Sequence, residues 1–93
     1  MPMLPLSSGL PGALVELLRG LPLSDGKVTF AWNAAVGPAI ERVTRVKLEH
    51  RVLQVETASA QWSREVTRSS PVILKRLHSL LGDVVGRIEV RRA

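Results

Sequence analysis

The chain has 93 residues, which is enough for one small domain with a single hydrophobic core. It has no cysteine, so disulfides and thiolate metal sites are excluded, and no apolar run approaches the roughly 20 residues of a membrane-spanning helix. The formal net charge is +5 at pH 7, and eleven of the 13 Lys and Arg residues lie from Arg42 onward. This uneven charge favours a polyanionic partner, either nucleic acid or an acidic protein surface, although such charge can also serve only to keep a protein in solution.

The first residues lack the pattern of a targeting segment. The chain begins M-P-M-L-P-L, with two early prolines and no basic region before an apolar stretch. We therefore expect a cytoplasmic protein. Residues 1–9 are interpreted as a flexible lead-in, and residues 10–93 as a single domain.

A short first helix is predicted over residues 10–21. Leu14, Leu17 and Leu18 lie at helical spacing and form its apolar face. Gly20 stands where a glycine often follows the last helical residue. The segment that follows, P-L-S-D-G, predicts a turn.

A second helical pattern covers residues 27–42, and either Ser24 or Asp25 can cap it. The dipeptide Gly37-Pro38 interrupts this pattern, because proline lacks a backbone donor and clashes with the preceding turn. We expect either a kink or the start of a new helix at that point. The residues of the apolar side are Val28, Trp32, Ala35, Val36, Ala39, Ile40 and Val43.

Two alternating segments predict an antiparallel hairpin. In residues 44–49, T-R-V-K-L-E, apolar and charged side chains alternate strictly, and residues 52–58 alternate again. His50 and Arg51 form a tight turn without the usual glycine, which leaves the turn type open.

The longest periodic segment covers residues 60–82 and predicts a helix with one buried face. Ser59 is its expected N-cap and Gly82 its expected end. Pro71 lies on the polar side, so either one helix bends there or a new helix begins; the continuous apolar face favours one kinked helix. That face consists of Trp62, Val66, Ile73, Leu77, Leu80 and Leu81.

A third strand is predicted over residues 84–91, which alternate once more. The order of elements is therefore α-α-β-β-α-β, and the fold class is α+β. Since one crossover helix reverses the chain once, the third strand should run parallel to the second. The three-stranded sheet should be covered by helices on one face only.

Catalytic and metal-binding patterns are missing from the sequence. His50 in a turn and His78 on an outer helix face are both expected to be solvated, and no G-x-S-x-G or Walker-type loop occurs. The run Gly9–Gly12 matches the bare G-x-x-G of a nucleic-acid clamp loop, but Pro11 and its place before the first helix favour a turn. We expect a protein that is not an enzyme and has no cofactor, no metal and no small-molecule substrate.

The basic residues that could bind nucleic acid form two groups on different sides of the predicted fold. The helix group is Arg64, Arg68, Lys75 and Arg76. The sheet group is Arg45, Lys47, Arg87 and Arg91. The helix group is favoured, because only one acid lies near it whereas three glutamates dilute the sheet group.

The aromatic residues favour phosphate contacts over base contacts. Trp32 and Trp62 each stand within an apolar helical stripe, which is more typical of core residues than of base-stacking platforms. Binding through phosphates would be independent of sequence and strongly dependent on salt.

Several short sequences occur here in a familiar order. A-W-N-A-A-V-G-P-A-I at Ala31–Ile40 precedes the hairpin, and A-S-A-Q-W-S-R-E-V follows the hairpin at Ala58–Val66. An L-x-x-L-L-G helix end and the strand I-E-V-R come next. Over about residues 27–91 the chain resembles the DciA family of bacterial proteins, and the residues that match its pattern individually are Trp32, Val36, Gly37 and Trp62.

The resemblance implies a KH-like domain that lacks the G-x-x-G clamp. It implies a part in recruiting or loading the replicative helicase in DNA replication, with non-specific binding of single- or double-stranded DNA as a second activity at the nucleoid. The four matching residues are interpreted as structural core. The alternative hypothesis is a protein-interaction adaptor that binds no nucleic acid.

Overall fold

The computed structural model describes residues 12–93. The predicted lead-in at residues 1–9 lies outside the described residues, as does the G-x-x-G match except for its final glycine. The first helix, α1, covers Gly12–Gly20, so Gly20 is its last residue and not the residue after its end. Of the apolar face predicted for α1, Leu18 is buried but Leu17 is 60% exposed.

The Gly37-Pro38 dipeptide separates two helices. Helix α2 covers Asp25–Val36 and is capped by Ser24, whose Oγ accepts a hydrogen bond from the Lys27 N–H at 3.1 Å. Gly37 has a φ of 83°, in the left-handed region that favours glycine, and α3 starts afresh at Pro38 and covers Pro38–Glu41. The predicted interruption is therefore the start of a new helix. Because α3 does not continue the turn of α2, Ala39 is exposed, whereas the sequence predicted that it would be buried.

Strand β1 covers Thr44–Glu49, as predicted, and β2 covers Val52–Thr57. His50 and Arg51 have φ values of 50° and 68°, and two successive positive values are the geometry of a type I′ hairpin turn. Strand β3 covers Arg87–Arg92 and lies beside β2. The order in the sheet is β1-β2-β3, with β1 antiparallel and β3 parallel to β2, which confirms the predicted strand direction.

The long helix α4 covers Ala60–Leu81 and runs through Pro71 as one helix. Ser59 caps it: its Oγ accepts from the Trp62 N–H at 3.2 Å. Pro71 is exposed, so its missing N–H falls on the solvent side, where water can bond the carbonyl of Thr67. Both the cap and the single helix confirm the predictions from sequence.

The chain between α4 and β3 differs from the prediction. Gly82, with φ 77°, ends α4 as expected, and a 3-10 turn over Gly82–Val84 follows. Val85, which follows this turn, is fully buried. Strand β3 starts at Arg87 and not at residue 84, where the sequence predicted it. Alternation alone could not separate a strand from a turn that inserts one valine into the core.

The core lies between the inner face of the sheet and the helices. Helix α2 packs on β1, α4 packs on β2 and β3, and α1 packs on α4. The opposite face of the sheet is open to solvent. Among the residues shared with the DciA pattern, Trp32 and Val36 are buried, at 1% and 5% exposure. The other large and fully buried side chains include Leu53, Val55, Val66, Ile73, Leu77 and Leu80.

One hydrogen-bonded chain joins α2, α3 and β1. The indole Nε1–H of Trp32 donates to Thr44 Oγ1 at 2.9 Å, and the Thr44 hydroxyl donates to the Ile40 carbonyl at 2.7 Å. The only polar group of the buried indole is therefore satisfied, which matters because an unpaired buried donor costs about 1–3 kcal/mol.

We expect Thr44→Val to lower the free energy of unfolding by about 1–3 kcal/mol, because it leaves the Trp32 indole N–H and the Ile40 carbonyl without their partner. Urea denaturation followed by tryptophan fluorescence measures the change. Thr29→Val is the matched control: Thr29 is exposed on α2, so its effect should stay within about 0.5 kcal/mol. Equal stability of the two variants would contradict this role for Thr44.

Candidate nucleic-acid interface

The outer side of α4 carries three exposed cations. Arg64, Arg68 and Lys75 face away from the buried stripe that contains Val66 and Ile73. They extend over about 16 Å of the helix, given its rise of about 1.5 Å per residue. We refer to Arg64, Arg68 and Lys75 as the α4 stripe.

The α4 stripe is only lightly neutralised. Arg68 Nη1 lies 3.5 Å from Glu65 Oε1, but the two side chains are 75% and 46% exposed, so this pair is weak. Within residues 12–93, Arg64 and Lys75 form no ion pair. The stripe therefore presents its positive charge to solvent.

Arg76 does not belong to this exposed stripe, contrary to its place in the predicted helix group. Its Nη1 donates to the Ala35 carbonyl at 3.4 Å, and its Nη2 is buried without a hydrogen-bond partner. Ala35 lies in the last turn of α2, where the helix dipole favours a positive charge. Arg76 therefore joins α4 to α2 through its guanidinium group.

The open face of the sheet is nearly neutral because three glutamates lie among its four cations. One ion pair follows from the strand register, which sets Arg91 beside Glu56, and the other two join residues two apart in one strand; all three are exposed and weak. The ion pairs are Lys47–Glu49 at 3.8 Å, Arg87–Glu89 at 3.4 Å and Arg91–Glu56 at 3.5 Å. Of the predicted sheet group, only Arg45 has no ion pair within the described part of the chain.

The two tryptophans differ in their surroundings. Trp32 is a core residue, as predicted, whereas Trp62 is half-buried and lies outside the core cluster. Ser63 faces the sheet, since its Oγ lies 2.6 Å from Thr57 Oγ1. Trp62 has the same position around the helix axis as the buried Leu80, five turns later, so its exposure goes with its place in the first turn of α4 and not with its direction. The expectation of a buried Trp62 is therefore wrong.

Neither histidine is part of a cluster of polar side chains. His78 is exposed, and its Nε2–H donates to the Val85 carbonyl at 2.8 Å, which holds the end of α4 against the segment before β3. His50 is exposed in the hairpin turn. Within residues 12–93, no group of three or more His, Asp or Glu side chains could hold a metal ion. None of the helices in that range is long and apolar enough to cross a membrane.

Apolar side chains near the end of α1 and on α2 are exposed, and the sequence analysis did not assign them a function. Leu17 and Phe30 are 60% and 53% exposed, and Leu21 and Leu23 lie between them in the chain, also exposed. The Lys27 Nζ donates to the Leu21 carbonyl at 2.5 Å, and Phe30 is one turn after Lys27 on α2. We refer to Leu17, Leu21, Leu23 and Phe30 as the α1–α2 apolar surface.

One of the three comparisons with known proteins identifies a family. Residues 7–90 match the protein-family model described as Dna[CI] antecedent, DciA, a match that includes α1 and extends to β3. Searches of curated proteins and of solved structures found no significant match. The family consists of loader or accessory proteins, is not a known class of enzyme and has a helicase-loader role in DNA replication. Because the match covers most of the chain, this protein belongs to the DciA family.

Proposed function

We propose that this protein binds DNA through the phosphates of its backbone and recruits the replicative helicase to it, in the cytoplasm at the nucleoid. The observation that carries the DNA part is the α4 stripe, a line of exposed cations with a single acid beside it. The family's helicase-loader role supports the recruiting part.

The chemistry of the α4 stripe favours contact with phosphates. Arg and Lys on a rigid helix can bond the phosphate oxygens and release counterions, which makes affinity fall with salt. The exposed neighbours within the stripe are Thr67, Pro71 and Val72, and none of these side chains is an aromatic platform for a base. Binding should therefore be independent of sequence.

Neutralising two cations of the stripe, with Arg64→Gln and Arg68→Gln together, should weaken DNA binding about tenfold and lower the slope of log affinity against log salt by about 2. Fluorescence anisotropy with a labelled 20-base-pair duplex, measured across a salt series, gives both quantities. The matched control is Lys47→Gln with Arg87→Gln, which removes the same charge from cations already paired with glutamates.

The control should change affinity much less than the stripe variant does, because its effect on DNA is only the long-range loss of net charge. Affinity of the wild-type protein that does not depend on salt would overturn the DNA part of the proposal. The same conclusion would follow if the stripe variant and the control bound DNA equally well.

The α1–α2 apolar surface supports the contact with the helicase. Large exposed apolar side chains are candidates for a protein interface, where their burial supplies the main favourable term. The residues before Arg42 carry few cations, so this part of the protein does not compete for a polyanion. DNA and helicase would then bind different parts of the molecule.

The double substitution Phe30→Ala and Leu17→Ala should reduce retention of purified replicative helicase on the immobilised protein at least severalfold. Both side chains are more than half exposed, so thermal stability should change little. Val72→Ala is the control, since Val72 is an exposed apolar residue on α4 at 41% exposure. If the wild-type protein retains no helicase at low salt, the recruiting part of the proposal is wrong.

An adaptor that binds protein but no nucleic acid is the second candidate. The observation that favours it is the pairing of charges on the open sheet face, which leaves most cations there engaged with glutamates. Retention of helicase together with no DNA binding at low salt would establish this alternative.

A further inference from the structure

A cleft lies at the end of the sheet where β1 begins and β2 ends. Its volume is about 300 Å³, and Arg42, Thr44, Arg45 and Glu56 are among the residues that line it. Arg42 was not among the candidates chosen from the sequence, which placed it at the end of the second predicted helix; in the structure it follows α3 and precedes β1. The fold brings it to the same cleft as Arg45.

The cleft carries an excess of positive charge. Arg42 and Arg45 are exposed and form no ion pair with any residue from 12 to 93. The one acid that lines the cleft, Glu56, is paired with Arg91, whose Nη2 lies 3.5 Å from Glu56 Oε2. Two guanidinium groups without an ion pair, those of Arg42 and Arg45, therefore line the cleft beside one carboxylate that is already paired.

The backbone around the cleft is held in place by hydrogen bonds. The Arg42 N–H donates to the Pro38 carbonyl at 3.2 Å, and the Val43 N–H donates to the Ile40 carbonyl at 3.1 Å. The Ala58 N–H donates to the Val43 carbonyl at 3.0 Å, which joins the chain before β1 to the chain after β2. The backbone that carries the two arginines is thus held by hydrogen bonds, so less conformational entropy is lost there when an anion binds.

A phosphate group suits this pair of arginines. The guanidinium group is a planar fork of donors that matches two oxygens of one phosphate, and it remains charged under all ordinary conditions. The cleft has room for a phosphate and its neighbouring sugar, but no aromatic side chain lines it to stack on a base. Its ligand should therefore be a phosphodiester of the nucleic-acid backbone.

We propose that the cleft between Arg42 and Arg45 is a second phosphate-binding site, which holds one phosphodiester of the same strand that the α4 stripe contacts. The inference rests on the proposed DNA binding and extends it to the other side of the molecule. The cleft opens at the end of the sheet, and the α4 stripe lies on the far side of the helix layer. A straight duplex cannot reach both, whereas a flexible single strand can pass around the end where α4 begins with Arg64 in its first turns.

The test uses two double variants. The cleft variant combines Arg42→Gln and Arg45→Gln. The control combines Lys47→Gln and Arg87→Gln, which removes equal charge from paired cations of the same sheet. The probe is a labelled 20-nucleotide oligothymidylate, followed by anisotropy across a salt series. The cleft variant should bind several times more weakly, and its salt slope should fall by about 0.7, the value for one phosphate contact on a single strand. The control should keep the wild-type slope, and the cleft variant should bind a 20-base-pair duplex as the wild type does.

The outcomes separate this proposal from the proposed function. Suppose that the wild-type protein binds oligothymidylate, that the double variant Arg64→Gln and Arg68→Gln binds it more weakly, and that the cleft variant binds it as tightly as the wild type. Only the cleft assignment is then overturned. If the wild-type protein binds neither probe at low salt, DNA binding itself is overturned. A deca-glutamate peptide that displaces oligothymidylate from the wild type but not from the cleft variant would show a carboxylate site and overturn the phosphate assignment.

Discussion

The hydrogen bond from the Trp32 indole to Thr44 is the contact on which the arrangement of the other elements depends. The indole Nε1–H, the only polar group of the buried Trp32 side chain, is bonded to Thr44, the first residue of β1. The Thr44 hydroxyl in turn donates to the Ile40 carbonyl in α3. Since Gly37 breaks the helix between these partners, the chain can turn sharply and still keep α2 packed on the strand. The position of Arg42, and with it the cleft at the sheet end, follows from this turn.

The two basic regions differ in how strongly the protein itself neutralises them. On the open sheet face, three glutamates lie among four cations, so much of the positive charge is offset within the molecule. On α4, helical spacing aligns Arg64, Arg68 and Lys75 with only Glu65 near them. The number of basic residues is similar in the two regions, and it is the number of internal partners that separates them.

Local signals in the sequence predicted most of the elements, and tertiary contacts decided the rest. The bounds of β1 and the cap Ser59 follow from neighbouring residues alone, so they could be predicted, and Ser24 was one of the two alternatives for the cap of α2. The direction of Arg76 depends on α2 packing against α4, and the partial burial of Trp62 depends on which elements reach the first turn of α4. No pattern within a single helix contains that information. The grouping of Arg42 with Arg45 is likewise a product of the fold.

The two outer strands have a further consequence for how copies of this protein meet. Strands β1 and β3 are the edges of the sheet, and an uncovered edge is a template on which another strand can add. Strand β3 carries Glu89 among its arginines, and β1 carries Glu49 beside Arg45 and Lys47. Charged side chains on an edge strand are one of the means by which proteins oppose pairing with a further strand. The mixed charges that leave the sheet face nearly neutral therefore still protect its edges from aggregation.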